Sequence, residues 1–229
     1  MSKHIKRIAA PKTWKLLRKE KKFVVKPRSS HKEDHSISIV NILRDMLRYA
    51  DVTAQVKKIL NQKEIFVDGK VVKDKKRGVG LMDVVSIKSL NEHYRMLVDE
   101  KGKLFLKKIP ETESKLKICK IINKKMIKGN KKQYTLHDGR TIISDNDYNI
   151  GDSLMIEIPS QKILEHFKLD KNVFVYIVEG KYSGTRGIIE DIKKQTKKTI
   201  LRIKTETGHI ETLNDYALVL GKEKPKITI

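Results

Sequence analysis

The sequence has one cysteine, Cys119, which excludes an internal disulfide and any multi-cysteine zinc centre. No apolar run approaches the roughly 18–20 residues of a spanning helix, and no segment is at once strongly amphipathic and basic, so no membrane partner is expected. The N-terminus is charged and lacks an apolar h-region, which excludes a secretory signal. These absences fit a soluble protein in a reducing, cytoplasmic setting. Neither a phosphate-binding P-loop nor a dinucleotide fingerprint is present, so no cofactor and no small-molecule substrate is expected. His31 and His35 stand four apart, but they lie in a polar, Pro/Ser-bounded linker with no further Cys or His nearby, so no metal is expected there. Cys119 sits inside an alternating apolar run with no histidine assigned to it, the setting of a passive buried thiol. Acids are also in short supply: 28 Asp and Glu stand against 51 Lys and Arg, for a net charge of +23. Such a surplus attracts polyanions by counterion release.

The charge is blocked. Residues 1–32 hold twelve Lys or Arg and one acid, Glu20, for a net +11. Residues 101–132 hold twelve Lys and two acids, Glu111 and Glu113, for a net +10. Blocks of like charge repel and stay extended until a partner neutralises them. Residues 1–32 are therefore expected to be disordered alone. Their Trp14 and Phe23 have no use in a purely solubilising tail. The candidate phosphate-binding residues of this block are Lys6, Arg7, Lys12, Lys15 and Arg18, with Trp14 stacking or packing among them. For residues 101–132 a solubilising surface is the alternative.

At 229 residues and 38% hydrophobic content, the chain suits two or three small domains. Residues 1–37 read as an arm that Ala9-Ala10-Pro11 and Lys26-Pro27-Arg28 keep from forming a long helix. Over 38–94, Ile39, Leu43, Met46 and Leu47 recur at helical spacing. Thr53 is placed to cap a second helix that buries Val56, Ile59 and Leu60. Asp68-Gly69 between Ile65-Phe66-Val67 and Lys70-Val71-Val72 is a hairpin signal, and Leu81–Ile87 is a further strand. Residues 95–170 read as short strands at 104–106, 116–121, 133–136 and 153–158, with turns at 137–140 and 149–152, a small barrel or sandwich. The last unit, 171–229, opens with a strand at 173–178, a glycine-rich turn and Gly187-Ile188-Ile189. Strands at 198–204 and 211–213 follow.

The segment from Ile39 to Ile87 resembles the S-four, or αL, RNA-binding domain: two short helices packed on a hairpin, presenting basic side chains. Arg44 and Arg48, four apart, are expected on one face of the first helix and Lys57 and Lys58 on the second. Lys70 and Lys73 follow the hairpin turn at Gly69, and Arg77 extends it. Phosphates and 2′-hydroxyls of an RNA groove would meet such a surface. Where the domain often carries a Ser-Arg pair, this chain has Val52-Thr53.

Val178-Glu179-Gly180-Lys181-Tyr182-Ser183-Gly184-Thr185-Arg186-Gly187-Ile188-Ile189 resembles a KOW motif. Gly180, Gly184 and Gly187 allow tight backbone turns, and Lys181, Tyr182 and Arg186 are the candidate phosphate and base contacts. The alternative is a purely structural turn.

With Lys3-His4-Ile5-Lys6-Arg7 through Trp14, Ile42–Leu47, Lys57–Gln62, Val79–Val84 and Thr212–Tyr216, the whole chain from 1 to 222 resembles the archaeal and eukaryotic small-subunit ribosomal protein four, or S-four-e, family. The resemblance implies an α+β multidomain fold: basic N-terminal arm, S-four domain, central small β domain and C-terminal SH3-like β-barrel with the KOW motif. It also implies a non-enzymatic, structural role in the ribosome, with small-subunit ribosomal RNA and other small-subunit proteins as partners. The lack of a long extra C-terminal tail points to an archaeal source. Gly78 stands where the family often has proline. S-four domains also occur on RNA-modifying enzymes, but the Arg-Leu-Asp segment of a pseudouridine synthase is missing, and 95–229 holds no cofactor loop.

Overall fold

The computed structural model describes residues 5–129, 131–195, 198–206 and 208–229, so Lys3 and His4 of the N-terminal motif lie outside the described residues. The chain is mostly β-strand with few helices, and it divides into two compact units. The first comprises residues 1–97 and 103–115, the second 98–102 and 116–229.

In the first unit the arm is not the extended chain that its charge predicts. Strands β1 (Ile5–Lys6) and β2 (Phe23–Val24) pair antiparallel, with Ile5 opposite Val24 and Lys6 opposite Phe23. Trp14 is 2% exposed, Ala10 and Val24 are buried, and Leu104 donates its N–H to the Thr13 carbonyl at 2.8 Å. A few apolar anchors thus fold the arm onto the unit despite the like charge around them.

Strand β3 (Ser36–Ser38) leads into α1 (Ile39–Asn41), which widens into a π-helical turn over Ile42–Met46. Leu47 donates to the Ile42 carbonyl at 2.9 Å, five residues back, and Arg48 has φ 58°. The helix therefore ends before Arg48, and the shared face expected for Arg44 and Arg48 does not form. Helix α2 (Thr53–Asn61) buries Val56 and Leu60. Its first turn is closed by Gln55, whose Oε1 accepts from the N–H of Asp51 at 2.8 Å and of Val52 at 3.2 Å. Thr53 is not the cap; its hydroxyl accepts from Arg44 Nη1 at 3.3 Å.

Strands β4 (Ile65–Val67) and β5 (Lys70–Val71) form the hairpin that the Asp-Gly pair predicts, with φ 50° at Asp68 and 73° at Gly69. This double positive φ is that of a two-residue primed turn. β6 (Gly78–Gly80) pairs with β3. The Gly78 N–H donates to the Arg28 carbonyl at 2.9 Å, a bond proline cannot make, and a Cβ there would lie 2.5 Å from the Ser29 Cβ, which together account for glycine at that position. β7 (Val84–Ile87), β8 (Glu92–Val98) and β9 (Leu104–Ile109) complete a five-stranded sheet in the order β5-β4-β7-β8-β9. The sheet runs on past the boundary expected at 94.

In the second unit, β10 (Leu116–Ile127) pairs through its first half with β13 (Ser153–Glu157) and through its second half with β11 (Lys131–Leu136). With β12 (Thr141–Ser144) and β14 (Ile163–Phe167) the order is β12-β11-β10-β13-β14. Cys119, Ile121, Tyr134, Leu136, Tyr148, Leu154 and Ile156 form its core. A second five-stranded sheet has the order β18-β17-β16-β15-β19, from β15 (Phe174–Ile177), β16 (Arg186–Lys194), β17 (Thr199–Thr205), β18 (Gly208–Leu213) and β19 (Ala217–Gly221). The alternation of Leu201, Ile203 and Thr205, buried, with Arg202 and Lys204, exposed, shows the period-2 packing of β17.

Candidate nucleic-acid interface

Helix α2 puts Val56 and Leu60 inside and, by the 3.6-residue period, Lys57 and Lys58 outside, where both are exposed. Lys70, at the exit of the hairpin turn, and Lys73 and Arg77 beyond it are also exposed. Arg77 is the bridge partner of Arg28, whose N–H donates to the Lys76 carbonyl at 2.7 Å. That pairing sets two arginines side by side, 49 positions apart in sequence; Arg28 was not among the sequence-predicted contacts because its neighbour is non-local. Arg48 is exposed at the end of the first helix. Arg44 is committed inward: its guanidinium bonds Asp45 Oδ2 at 2.8 Å and Thr53 at 3.3 Å.

The arm divides into two kinds of cation. Lys6, Lys12 and Lys15 are exposed. Arg7 is 1% exposed and pairs with Asp45 at 3.2 Å and Glu20 at 3.6 Å. Trp14 is equally internal. Both leave the RNA-facing set, because burial denies them to any external partner and assigns them to holding the arm in place. Arg18 spends its donors on the arm's own backbone, reaching the carbonyls of Ile8 at 3.0 Å, Ala10 at 2.7 Å and Pro11 at 2.8 Å.

The second lysine block is also divided. Lys117 is wholly buried against Asp138 at 2.9 Å, and Cys119 donates its thiol to the same carboxylate at 3.7 Å. Burial pushes the Asp138 carboxyl up, but Lys117, His137 and the Arg140 N–H outweigh it and hold it at about 2. Lys120 donates to the carbonyls of Asn214 and Ala217, the latter at 2.8 Å. Burial draws this ammonium down to about 8 against the opposing pull of Asp215 and Glu179. Both lysines sit on β10 and were counted as surface charge from the sequence, where nothing separates a buried lysine from its neighbours. Lys101, Lys103, Lys115, Lys125, Lys128 and Lys131 remain exposed.

In the glycine-rich loop after β15, Gly180 and Gly184 have φ 89° and 80°, the left-handed region that favours glycine. A Cβ on Gly184 would lie 2.4 Å from the Glu100 N and 2.5 Å from the Asp99 carbonyl carbon, and one on Gly187 would lie 2.4 Å from the Lys204 oxygen. Lys181 and Arg186 project outward, and the Lys181 ammonium stands 5.3 Å from the centre of the Tyr182 ring. His31 is fixed inside the first unit by Asp83 at 3.1 Å, and residues 33–35 form a 3₁₀ turn, so the helical turn that would align His31 with His35 does not form.

A β-rich chain with cations exposed on separate elements and its deepest cations locked in ion pairs or on backbone carbonyls presents a basic surface suited to an anionic partner. Comparison with known proteins supplies the rest. Residues 90–163 match the model described as "Ribosomal family S4e", and residues 1–32 match the "RS4NT (NUC023) domain". The small ribosomal subunit protein eS4 of Methanocella arvoryzae is 41% identical over 98% of this chain and 96% of its own length. That of Methanocaldococcus jannaschii is 39% identical over 99% and 97%. The crystal structure of the 30S ribosomal protein S4e from Thermoplasma acidophilum aligns with a TM-score of 0.73 at 32% identity, covering 82% of this chain and 96% of that one. The chain belongs to the ribosomal S4e family, a family of ribosomal proteins and not of enzymes.

Proposed function

We propose that this protein is a structural constituent of the small ribosomal subunit that binds and stabilises small-subunit ribosomal RNA in the cytoplasm, beside other small-subunit proteins. The observation that carries the reading is identity of 41% along nearly the whole chain to a protein named for that subunit. Exposed cations supply the means. Lys57, Lys58, Lys70, Lys73 and Arg77, with Arg28 of the arm paired beside Arg77, lie on or next to the helix–hairpin segment, which we read as an S-four domain choosing an RNA shape. Lys6, Lys12 and Lys15 of the arm add attraction. Lys181, Tyr182 and Arg186, on a loop we read as a KOW motif, add a further contact. Several modest grips on one RNA multiply through effective concentration. No cofactor, small-molecule substrate or membrane enters this role.

The test is binding of the full chain to a small-subunit ribosomal RNA transcript across a salt series. The expected result is a fall in log affinity with log salt of slope about −5 or steeper. An isotherm unchanged by salt, or equal affinity for an unrelated RNA of the same length, overturns the reading.

A further inference from the structure

The β1–β2 ribbon has an inner and an outer face. Ile5 and Val24, opposite each other, turn inward; Lys6 and Phe23, the next pair, turn outward. Phe23 keeps 47% of its surface exposed, and the Lys22 ammonium stands 5.4 Å from its ring centre. The backbone beneath is fixed: the Arg7 N–H donates to the Lys22 carbonyl at 2.9 Å, and the buried Arg7 side chain is tied to Asp45. The ribbon therefore leaves an aromatic ring partly exposed between Lys6 and Lys22, with Lys21 exposed next to them. An apolar protein surface is a poor match for a ring so ringed by cations, and an acidic one offers it no flat face. A polyanion with flat aromatic faces matches both features, and among macromolecules that is a nucleic acid.

We propose that Phe23 is a base-stacking residue, taking the face of an unpaired RNA base while Lys6 and Lys22 hold the flanking phosphates. This rests on the ribosomal RNA reading above and deepens it by naming the contact. Stacking carries little salt dependence, whereas the lysine contacts carry most of it. The two components therefore separate by experiment.

The full chain and its Phe23→Ala, Phe23→Leu and Phe23→Trp variants are titrated with a small-subunit ribosomal RNA transcript and with a fully paired RNA duplex of random sequence. Phe23→Ala and Phe23→Leu are expected to lose about tenfold on the transcript at every salt concentration, with the salt slope unchanged, and to bind the duplex like the parent. Phe23→Trp is expected to keep parent affinity, and its solvent-exposed indole to be quenched by the transcript and not by the duplex. Parent-like binding of the transcript by Phe23→Ala, or by Phe23→Leu, overturns the stacking proposal alone, as does an equal loss on the duplex. Failure of the parent chain to bind the transcript in a salt-dependent way overturns the ribosomal RNA reading itself.

Discussion

The hydroxyl of Tyr176 accepts from the Val98 N–H at 2.9 Å and donates to the Val98 carbonyl, satisfying both backbone groups of one residue from 78 positions away. The residues that follow Val98, Asp99 and Glu100, are those against which the Gly184 turn closes. The glycine-rich loop with Lys181 and Arg186 is thus seated on a backbone that Tyr176 pins from strand β15. Fixing the loop this way spends protein contacts before any partner arrives, so less ordering entropy remains to oppose binding.

Tyr176→Phe removes the double hydrogen bond and leaves the Val98 N–H and carbonyl buried without that partner. The expected loss is about 1–3 kcal/mol of unfolding free energy, read from urea denaturation at neutral pH. Burial also pushes the Tyr176 phenol up to about 12. The folded state favours the neutral phenol, so this stabilisation is present below the ordinary pKa near 10 and is lost as pH rises through about 12. The Phe variant is expected to lack that alkaline slope.

Gly184 and Gly129 form a matched pair for the loop argument. Both have positive φ, 80° and 81°, but a Cβ on Gly184 meets the Asp99–Glu100 backbone, while one on Gly129 meets nothing within 4 Å. Gly129→Ala is expected to cost about 1 kcal/mol from conformation alone. Gly184→Ala adds a backbone clash and is expected to cost about 2–4 kcal/mol. Thermal melts of the two variants measure the difference. Equal costs would mean that the closeness of residues 99 and 100 contributes nothing.

The buried pair Lys117–Asp138 sets the acid limit of the second unit. Asp138 is held at about 2, below the ordinary carboxylate value near 3.9. A depressed carboxylate stabilises above its unfolded pKa, and that stabilisation drains away as pH falls through the folded one. Stability of the parent is therefore expected to fall between about pH 4 and pH 2, and Asp138→Asn to flatten that segment. At pH 7 the same variant removes the Asp138 counter-charge from the buried Lys117 ammonium, at a cost of about 3–5 kcal/mol. Melting temperatures from pH 2 to 7 for parent and variant check both statements.

The sequence disclosed most elements whose signal is local. The Asp68-Gly69 hairpin forms because two residues with positive φ suffice to turn it, and the alternation in Thr199–Thr205 is visible as written. Strands β1, β2, β3, β6, β8, β12, β14 and β19 escaped individual notice. Glu92-His93-Tyr94-Arg95 opens β8 with polar residues, and β14 carries Glu165 and His166 in a partly buried strand, so neither shows clean alternation. Their strand state is decided by partners far off in sequence. The candidate site divides along the same line. Exposure of Lys57 and Lys58 follows from helix period, whereas burial of Arg7, Lys117 and Lys120 depends on Asp45, Asp138 and the carbonyls of Asn214 and Ala217. The π-helical turn at Ile42–Met46, which removed Arg48 from the expected face, has no period signature of its own.

Burial separates Trp14 of the arm from the lysines of α2 into two measurable behaviours. Trp14 fills the interior at 2% exposure, so Trp14→Ala leaves a cavity and is expected to cost about 3–5 kcal/mol, read as a lowered melting temperature. The folded fraction of that variant should keep the parent's salt slope on the ribosomal RNA transcript, because no phosphate contact is lost. Lys57→Gln and Lys58→Gln are the converse. Their side chains are exposed on α2, so stability should move by less than about 0.5 kcal/mol. Each should lower the salt slope by roughly one if its ammonium releases a counterion on binding. A Trp14→Ala chain that melts like the parent would contradict the folded arm. A Lys57→Gln, Lys58→Gln double variant with an unchanged slope would remove α2 from the RNA-facing surface and leave the exposed arm lysines and the glycine-rich loop to account for the binding.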